Sequence, residues 1–242
     1  MWLCHHHECV STNGLPQVTI WGFFIICMIV NRTIFLVDGF NLYHSVVNAS
    51  DDLGGISTKW LNIRSLCESY LYLFGRNSKY EDLFYFSALA HHMNLNDPNT
   101  VRRHQIFIDC LKATDVKIEI ARFKQKEILC KNCHQYFWRH EEKETDVALS
   151  VKLIELLWQD QCDTVVLVTG DTDISPSIRF SQKYFPNKRV GILFPYKRHN
   201  KELKELVKGL GFKISKEQYV QHQFSNPVIL PNGTIRAKPI SW

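Results

Sequence analysis

The chain has 242 residues, 45% of them hydrophobic, enough for one folded core or for one core with a small insert. Its 29 Lys and Arg against 24 Asp and Glu give a formal charge of +5, a mild basic bias that permits a polyanionic partner without demanding one. There is no arginine-rich tract, no low-complexity segment and no internal repeat. Eight cysteines invite a disulfide framework, but a chain of this size does not need one. Cys67, Cys110 and Cys162 stand in helical or apolar contexts and read as buried thiols, which fits a reducing, cytoplasmic setting.

Residues 1–31 differ from the rest. Val18 to Val30 is a mostly apolar run of 13 residues, shorter than the roughly 20 that a membrane span requires. No positive segment precedes it, so it does not read as a secretory signal, and no membrane association is expected. Met28, five residues before the first strand, or a nearby non-Met start codon is the expected translation start, which would leave the upstream residues untranslated; a disordered tail is the alternative. The cluster Cys4, His5, His6, His7 and Cys9 upstream of it is given no functional weight.

Thr33 to Val37 is continuous, β-branched and apolar, and predicts a buried strand ending in Asp38-Gly39. A short helix follows over Asn41 to Val47. Ser57 or Thr58 is the expected cap of a longer helix to about Phe74, with Trp60, Leu61, Ile63, Leu66, Tyr70 and Leu73 as its apolar stripe. Asp82 to Ala88 is the second strand. Asp97-Pro98 starts a helix to about Ala113, in which Val101, Ile106, Ile108 and Leu111 are buried candidates. Val116 to Phe123 is the third strand. Residues 124–141 are polar and read as an excursion from the core. Glu144 to Trp158 is the strongest helix, with Val147, Val151, Ile154 and Trp158 repeating at helical spacing. Asp163 to Thr169 and Arg189 to Phe194 are strands, Ser175 to Tyr184 and Asn200 to Gly209 helices, and Phe212 to Ile214 a last short strand. Residues 221–242 read as a polar tail.

Alternation of strands and helices implies a mainly parallel sheet covered on both faces. The expected fold is a three-layer α/β/α sandwich over 32–220, with a small cysteine-containing insert at 124–141 and flanking segments 1–31 and 221–242.

Four aspartates fall on three segments of this plan. Asp38 closes the first strand, Asp171 and Asp173 follow the fourth, and Asp146 opens the strongest helix. Open α/β sheets bind ligands in the crevice outside the carboxyl ends of their strands, where such side chains point. An Asp at a strand end is often only a turn residue or a helix cap. A turn needs one such residue, however, not several acids in one crevice. Carboxylates gathered there repel one another and call for a divalent cation. An oxygen-only donor set favours Mg²⁺ or Mn²⁺. Such a site suits hydrolysis of a phosphodiester.

Three ordered stretches carry a resemblance. They are Val37-Asp38-Gly39-Phe40-Asn41-Leu42-Tyr43, Lys143-Glu144-Thr145-Asp146-Val147-Ala148-Leu149 and Thr169-Gly170-Asp171-Thr172-Asp173-Ile174-Ser175-Pro176. From about Thr33 onward the chain resembles the NYN domain family, a branch of the PIN-like nucleases. His140-Glu141-Glu142-Lys143, Phe194-Pro195-Tyr196-Lys197-Arg198, Asn232-Gly233-Thr234-Ile235 and the terminal Pro239-Ile240-Ser241-Trp242 add to it. The resemblance implies a PIN-like fold and a metal-dependent ribonuclease. It assigns Asp38, Asp146, Asp171 and Asp173 to the acidic quartet, Asn41 to the asparagine after the first aspartate, and Thr169 to the hydroxyl position before the Gly-Asp turn. Glu144 falls where the family often has another residue and ranks below Asp146. Asp38 and Asp171 would hold one ion, and Asp146 and Asp173 a second ion or the water shell of the first. RNA is the implied partner, and a homodimer is compatible because PIN-like domains often pair.

Two further groups are candidates. Cys130-x-x-Cys133 has half the spacing of a zinc site, with His134 or, preferably, His140 to complete a structural Zn²⁺ centre; two free thiols in a turn are the alternative. Lys197, Arg198 and Lys201 follow the fifth strand and are expected on the acidic side, as phosphate contacts or as a solvated helix start. Near the insert, Tyr136, Phe137 and Trp138 beside Lys124, Lys126, Lys131 and Arg139 suit either base stacking or a small core. Competing with the ribonuclease are an inactive PIN-like module that binds RNA or protein, and a haloacid-dehalogenase-type phosphohydrolase. The last wants Asp-x-Asp on its first strand, where this chain has Phe40.

Overall fold

A computed structural model describes residues 30–89, 99–129 and 131–242. Met28, the N-terminal Cys and His cluster, the Asp97-Pro98 helix start and Cys130 lie outside the described residues. The central element is β1 (Asn31–Asp38), buried along its last six residues. It pairs in parallel with β2 (Ser78–Ala88) on one side and β5 (Thr164–Val168) on the other. Outward from β2 come β3 (Lys117–Leu129) and an antiparallel β4 (Tyr136–Lys143); outward from β5 come β6 (Arg189–Phe194) and β7 (Gly211–Lys213). The sheet order is β4-β3-β2-β1-β5-β6-β7. Six strands are parallel, as the alternation implies, and the three-layer α/β/α sandwich is the observed fold. The chain winds one way from β1 and the other way from β5, so the carboxyl ends of these two strands form a topological switch point.

One layer holds α1 (Gly39–Asp52), α2 (Ile63–Ser69), α3 (Asn99–Lys112) and α7 (Lys216–Gln221). The core beneath it includes Phe35, Val37, Leu83, Phe107 and Tyr219. The other holds α4 (Thr145–Trp158), α5 (Ser175–Tyr184) and α6 (Lys201–Leu206), over Ile34, Leu36, Phe86, Val165 and Leu167. Strand residues alternate between the two cores, as the two-residue period requires. The register is held at the amino ends. Asn31 Nδ2 donates to Ser78 Oγ at 2.7 Å, and Asn31 Oδ1 accepts from Thr164 Oγ1 at 2.7 Å, so one side chain ties β1 to both neighbours. Beside it Arg32 binds Asp163 and Asp160, and Lys188 joins the same two acids. Val37 then stands opposite Val168, and Asp38 level with Thr169.

Several expectations need correction. The cap after α1 is neither Ser57 nor Thr58 but Asn62, whose Oδ1 accepts from Ser65 N at 3.0 Å; Thr58 instead donates to the Val46 carbonyl at 2.7 Å. The helix is short and passes through a 3₁₀ turn, Leu71–Phe74, rather than running unbroken from residue 58. In α4 the stripe Val147, Val151 and Trp158 faces solvent, 57–78% exposed, and the buried face is Leu149, Leu153, Leu156 and Leu157. The insert is a β-ribbon. Pairing of β2 with β3 ends at Ala88 and Ala121, and pairing of β3 with β4 begins at Arg122 and Lys143, so the ribbon stands beyond the carboxyl edge of the sheet. Eight paired residues at about 3.4 Å each make an arm about 27 Å long.

The tail packs on the core. Phe224 N donates to Trp60 O at 2.9 Å, the Trp60 indole donates to Ser225 O at 3.0 Å, and Trp242 lies edge-on to Trp60 and Phe107. Trp60 is 1% exposed and bonded through its ring. Trp60→Ala should therefore lower unfolding stability by about 3–5 kcal/mol, read as a shifted urea midpoint. A loss below about 1 kcal/mol would show that the tail does not seal this core.

Candidate active site

Asp38 ends β1 and caps α1. Its Oδ1 accepts from Asn41 N at 2.9 Å and its Oδ2 from the Thr169 hydroxyl at 2.9 Å. The Thr169 oxygen in turn accepts from Asp171 N at 3.1 Å, so one hydroxyl ties the acid of β1 to the turn after β5. Asn41 Oδ1 accepts from Gly170 N at 3.1 Å and makes a second tie. Asp171 then caps a 3₁₀ turn, Thr172–Ile174, with its Oδ1 accepting from Asp173 N at 3.1 Å. Asp146 arrives from the other direction. Glu144 has left-handed backbone (φ 81°) and is gripped by Arg122 at 2.7 and 2.9 Å, which turns β4 into α4 and sets Asp146 in the first turn. Glu144 is thus engaged with β3, in keeping with its lower rank.

The glycines here serve close approach, since neither requires positive φ. A Cβ on Gly39 would lie 2.5 Å from the Phe86 carbonyl oxygen and 2.7 Å from the Tyr85 ring. A Cβ on Gly170 would lie 1.8 Å from the Arg198 carbonyl oxygen, so the acidic turn sits directly against the loop after β6.

Two of the acids feel the charge of the others. Burial raises the Asp38 carboxyl above the ordinary range against the lowering effect of its bonds to Asn41 and Thr169, and the Asp171 charge raises it further. Asp146 is raised first by desolvation, although its surface is open to solvent, and then by Asp38, Asp171 and Asp173 in turn. All four carboxylates therefore act on one region. Among the described residues no three Cys, His, Asp or Glu side chains stand close enough to grip a single ion directly. Three buried polar atoms on the segments that carry the acids and the loop against them, Thr145 Oγ1, Ser175 Oγ and Arg198 Nε, have no hydrogen-bond partner among the described residues. An oxygen-only donor set of this kind fits a hydrated divalent cation, one that keeps several waters and takes only one or two carboxylates.

The three basic candidates separate. Lys197 is paired with Asp52, whose Oδ2 also accepts from Tyr196 OH at 3.0 Å. Lys201 extends into solvent, 3.9 Å from Glu205. Arg198 alone lies under the acidic turn, through its contact with Gly170. The loop carrying it is fixed by Ser45 Oγ, which donates to Tyr196 O at 2.7 Å, and by Tyr219 OH, which accepts from Tyr196 N at 3.1 Å.

Of the zinc candidates, Cys133 is an exposed free thiol and His134 a left-handed turn residue; Cys130 and the His140 side chain lie outside the described residues. The backbone of His140 pairs with Gln125, four residues along β4 from Tyr136 and about 13 Å from the ribbon tip.

The sequence reading missed a cavity of about 530 Å³ in the α1–α3 layer. Gly39 and Phe40, the two residues after Asp38, form one lip; Ser87, His104 and Trp242 line it. The signal for it lay in the tail tryptophan and its partner Trp60.

Removing the central hydroxyl has a defined pH signature. Because Thr169 lowers the raised Asp38 carboxyl, its loss penalises the ionised form most. In EDTA, Thr169→Val should cost about 1–3 kcal/mol at pH 8, and the penalty should shrink as pH falls through the folded Asp38 value. Urea unfolding at pH 8 and 4.5 tests this; an equal penalty at both would separate Thr169 from the charge on Asp38.

The NYN domain profile matches residues 32–212. A curated relative, 6-hydroxy-3-succinoylpyridine 3-monooxygenase HspA of Pseudomonas putida, is 26% identical over 132 residues, 52% of this chain. The chain spans only about 41% of that protein's length. A solved structure of a protein of unknown function, VPA0982 from Vibrio parahaemolyticus, aligns with a TM-score of 0.48 at 17% identity, over 77% of this chain and 94% of its own. No helix among the described residues is long and apolar enough to cross a membrane. With the profile spanning β1 to β7 and all four aspartates, this chain belongs to the NYN domain family, whose members are nuclease-like.

Proposed function

We propose that this protein is a ribonuclease that hydrolyses RNA phosphodiesters with Mg²⁺ or Mn²⁺ at Asp38, Asp146, Asp171 and Asp173. The observation carrying the reading is the placement of Asp38 and Asp171 at the switch point of the sheet, tied together through Thr169, with Asp146 near enough to feel the charges of Asp38, Asp171 and Asp173. The ion, when bound, supplies Lewis-acid stabilisation of the phosphoryl oxygens and a nucleophilic water at neutral pH.

The chain's own groups do the rest. Asp38 and Asp171 are fixed in orientation by Asn41 N, Thr169 and Asp173 N, so the donors are arranged before substrate arrives. Asn41, with its carbonyl oxygen held by Gly170 N, keeps its amide nitrogen for a carboxylate or phosphate oxygen. Asp146 and Asp173, open to solvent, accept hydrogen bonds from the water shell of the ion and from the attacking water. Arg198, whose buried Nε has no partner among the described residues, is the phosphate contact of the basic loop. Lys197, committed to Asp52, holds the loop instead.

A second reading comes from the curated relative, whose name assigns it oxygenation of a substituted pyridine. The aromatic cavity beside Asp38 favours it. The two part on substrate: one consumes RNA through Asp171, the other a small heteroaromatic. The inactive binding module is the third.

Mixed-sequence single-stranded RNA should be cut by the full chain with Mn²⁺ and not with EDTA. Asp171→Asn and Asp38→Asn should each reduce cutting by about 100-fold or more, the scale of losing one charge-stabilising group. Mn²⁺ should raise the melting temperature of the wild type but not of Asp171→Asn. Undiminished cutting by both variants would refute the assignment; metal binding without cutting of any RNA would favour the binding module.

Arg198→Ala should weaken RNA binding and reduce the slope of log K against log salt by about 1, with Lys201→Ala changing it less. Equal slopes in wild type and Arg198→Ala would remove Arg198 from the interface.

A further inference from the structure

The cavity in the α1–α3 layer takes no part in the ribonuclease chemistry proposed above. It has a built interior. Tyr85 and Phe107 give it flat apolar walls, and their rings meet edge-on at 6.3 Å. Trp242 closes it, 5.6 Å from the Phe107 ring. Polar edges are few and placed. Ser87 lies at the carboxyl end of β2, one residue past the partner of Asp38, and its hydroxyl is 3.4 Å from His104 Nε2. Burial pushes the His104 imidazole down to about 4, so at neutral pH the ring is uncharged, one nitrogen a donor and the other an acceptor, with Nε2 turned to Ser87. Lys59 and Arg103 add cationic groups to the lining. Phe40 is held at the lip by the Phe123 ring of the ribbon base, at 5.7 Å, and Tyr43 stands at the mouth half exposed.

Flat rings with a short polar edge, where Ser87 meets His104, match a heteroaromatic ring carrying polar atoms of its own better than an acyl chain, which offers that edge nothing. The position selects the source of that ring. Gly39 and Phe40 follow Asp38 without a gap, so a strand whose phosphate lies at the acids carries an adjoining base past the cavity mouth.

We propose that this cavity is a nucleobase pocket, taking an unstacked base of single-stranded RNA next to the scissile phosphate, between Tyr43 and the aromatic walls with its edge on His104 and Ser87. This rests on the ribonuclease reading. A duplex would have to surrender a paired base to fill the pocket, so the substrate it selects is single-stranded or looped RNA.

The test uses the full chain in EDTA with a short single-stranded RNA carrying one 2-aminopurine. Its fluorescence should be quenched on binding, and free 2-aminopurine riboside should bind at least about 10-fold more weakly. Tyr43→Ala and His104→Phe should each weaken the oligonucleotide by about 5- to 100-fold, the range seen on removing one base–aromatic stack. Tyr43 is exposed, so its variant keeps the test alive if His104→Phe does not fold; unchanged melting temperature certifies each. With Mn²⁺, an abasic nucleotide beside the cut should slow the wild type by a similar factor and leave His104→Phe unaffected. Riboside binding as tight as the oligonucleotide would make this a small-molecule pocket and overturn the proposal. RNA cut at full rate by both variants, with no abasic sensitivity, would sink the pocket and leave the nuclease standing. RNA neither cut nor bound would sink both.

Discussion

The parallel pairing of β1 with β5 is the constraint on which everything else here rests. It makes the switch point, and its register sets Asp38 level with Thr169. Asn31 at the far end of β1 holds that register by bonding both neighbouring strands, while Arg32 and Lys188 neutralise Asp160 and Asp163 beside it. A slip of one residue would turn Asp38 to the opposite face of the sheet. The ionic ties at the amino edge and the acidic ties at the carboxyl edge are thus two ends of one alignment.

At the carboxyl edge the chain accepts an unfavourable charge. Asp38 is buried and near other carboxylates, and Asn41 N, Thr169 and Phe40 N compensate it in part. Its pKa is raised on folding, so the folded state binds the proton more readily and stability falls as pH rises through the window above the unfolded value. Strain of this kind is common where a site is arranged for a partner not yet bound. Thr145 Oγ1, Ser175 Oγ and Arg198 Nε, on the segments that carry the acids and the loop against them, are further buried polar atoms without a partner among the described residues.

Much of this plan was legible in the sequence, because each cue was local. A β-branched run ending in Asp-Gly, or in Gly-Asp-x-Asp, reports both the strand and the acid at its end. The α4 helix was misread for a physical reason. Its apolar residues fill two stripes at the same period, Val147-Val151-Ile154-Trp158 and Leu149-Leu153-Leu156, and periodicity alone cannot choose between them. Asp146 could have chosen, because Leu149 and Leu153 lie three and seven residues on and share its face. The ribbon was hidden by its polarity, since a protruding two-stranded arm has little core to bury. The role of the tail and the cavity depended on contacts such as Trp60 with Trp242, 182 positions apart, which no local pattern reports.

The contact between Gly170 and the Arg198 carbonyl bears on how this scaffold diversifies. Backbone meets backbone there with no room for a methyl group. The loop from Pro195 to Asn200 can therefore exchange side chains freely, but it cannot change its path or length without displacing the acidic turn. Divergence at this rim would proceed by substitution, while insertions would accumulate at the ribbon tip, far along the arm from the acidic turn. Grafting a rim loop from one relative onto another would succeed only between chains that keep glycine at position 170.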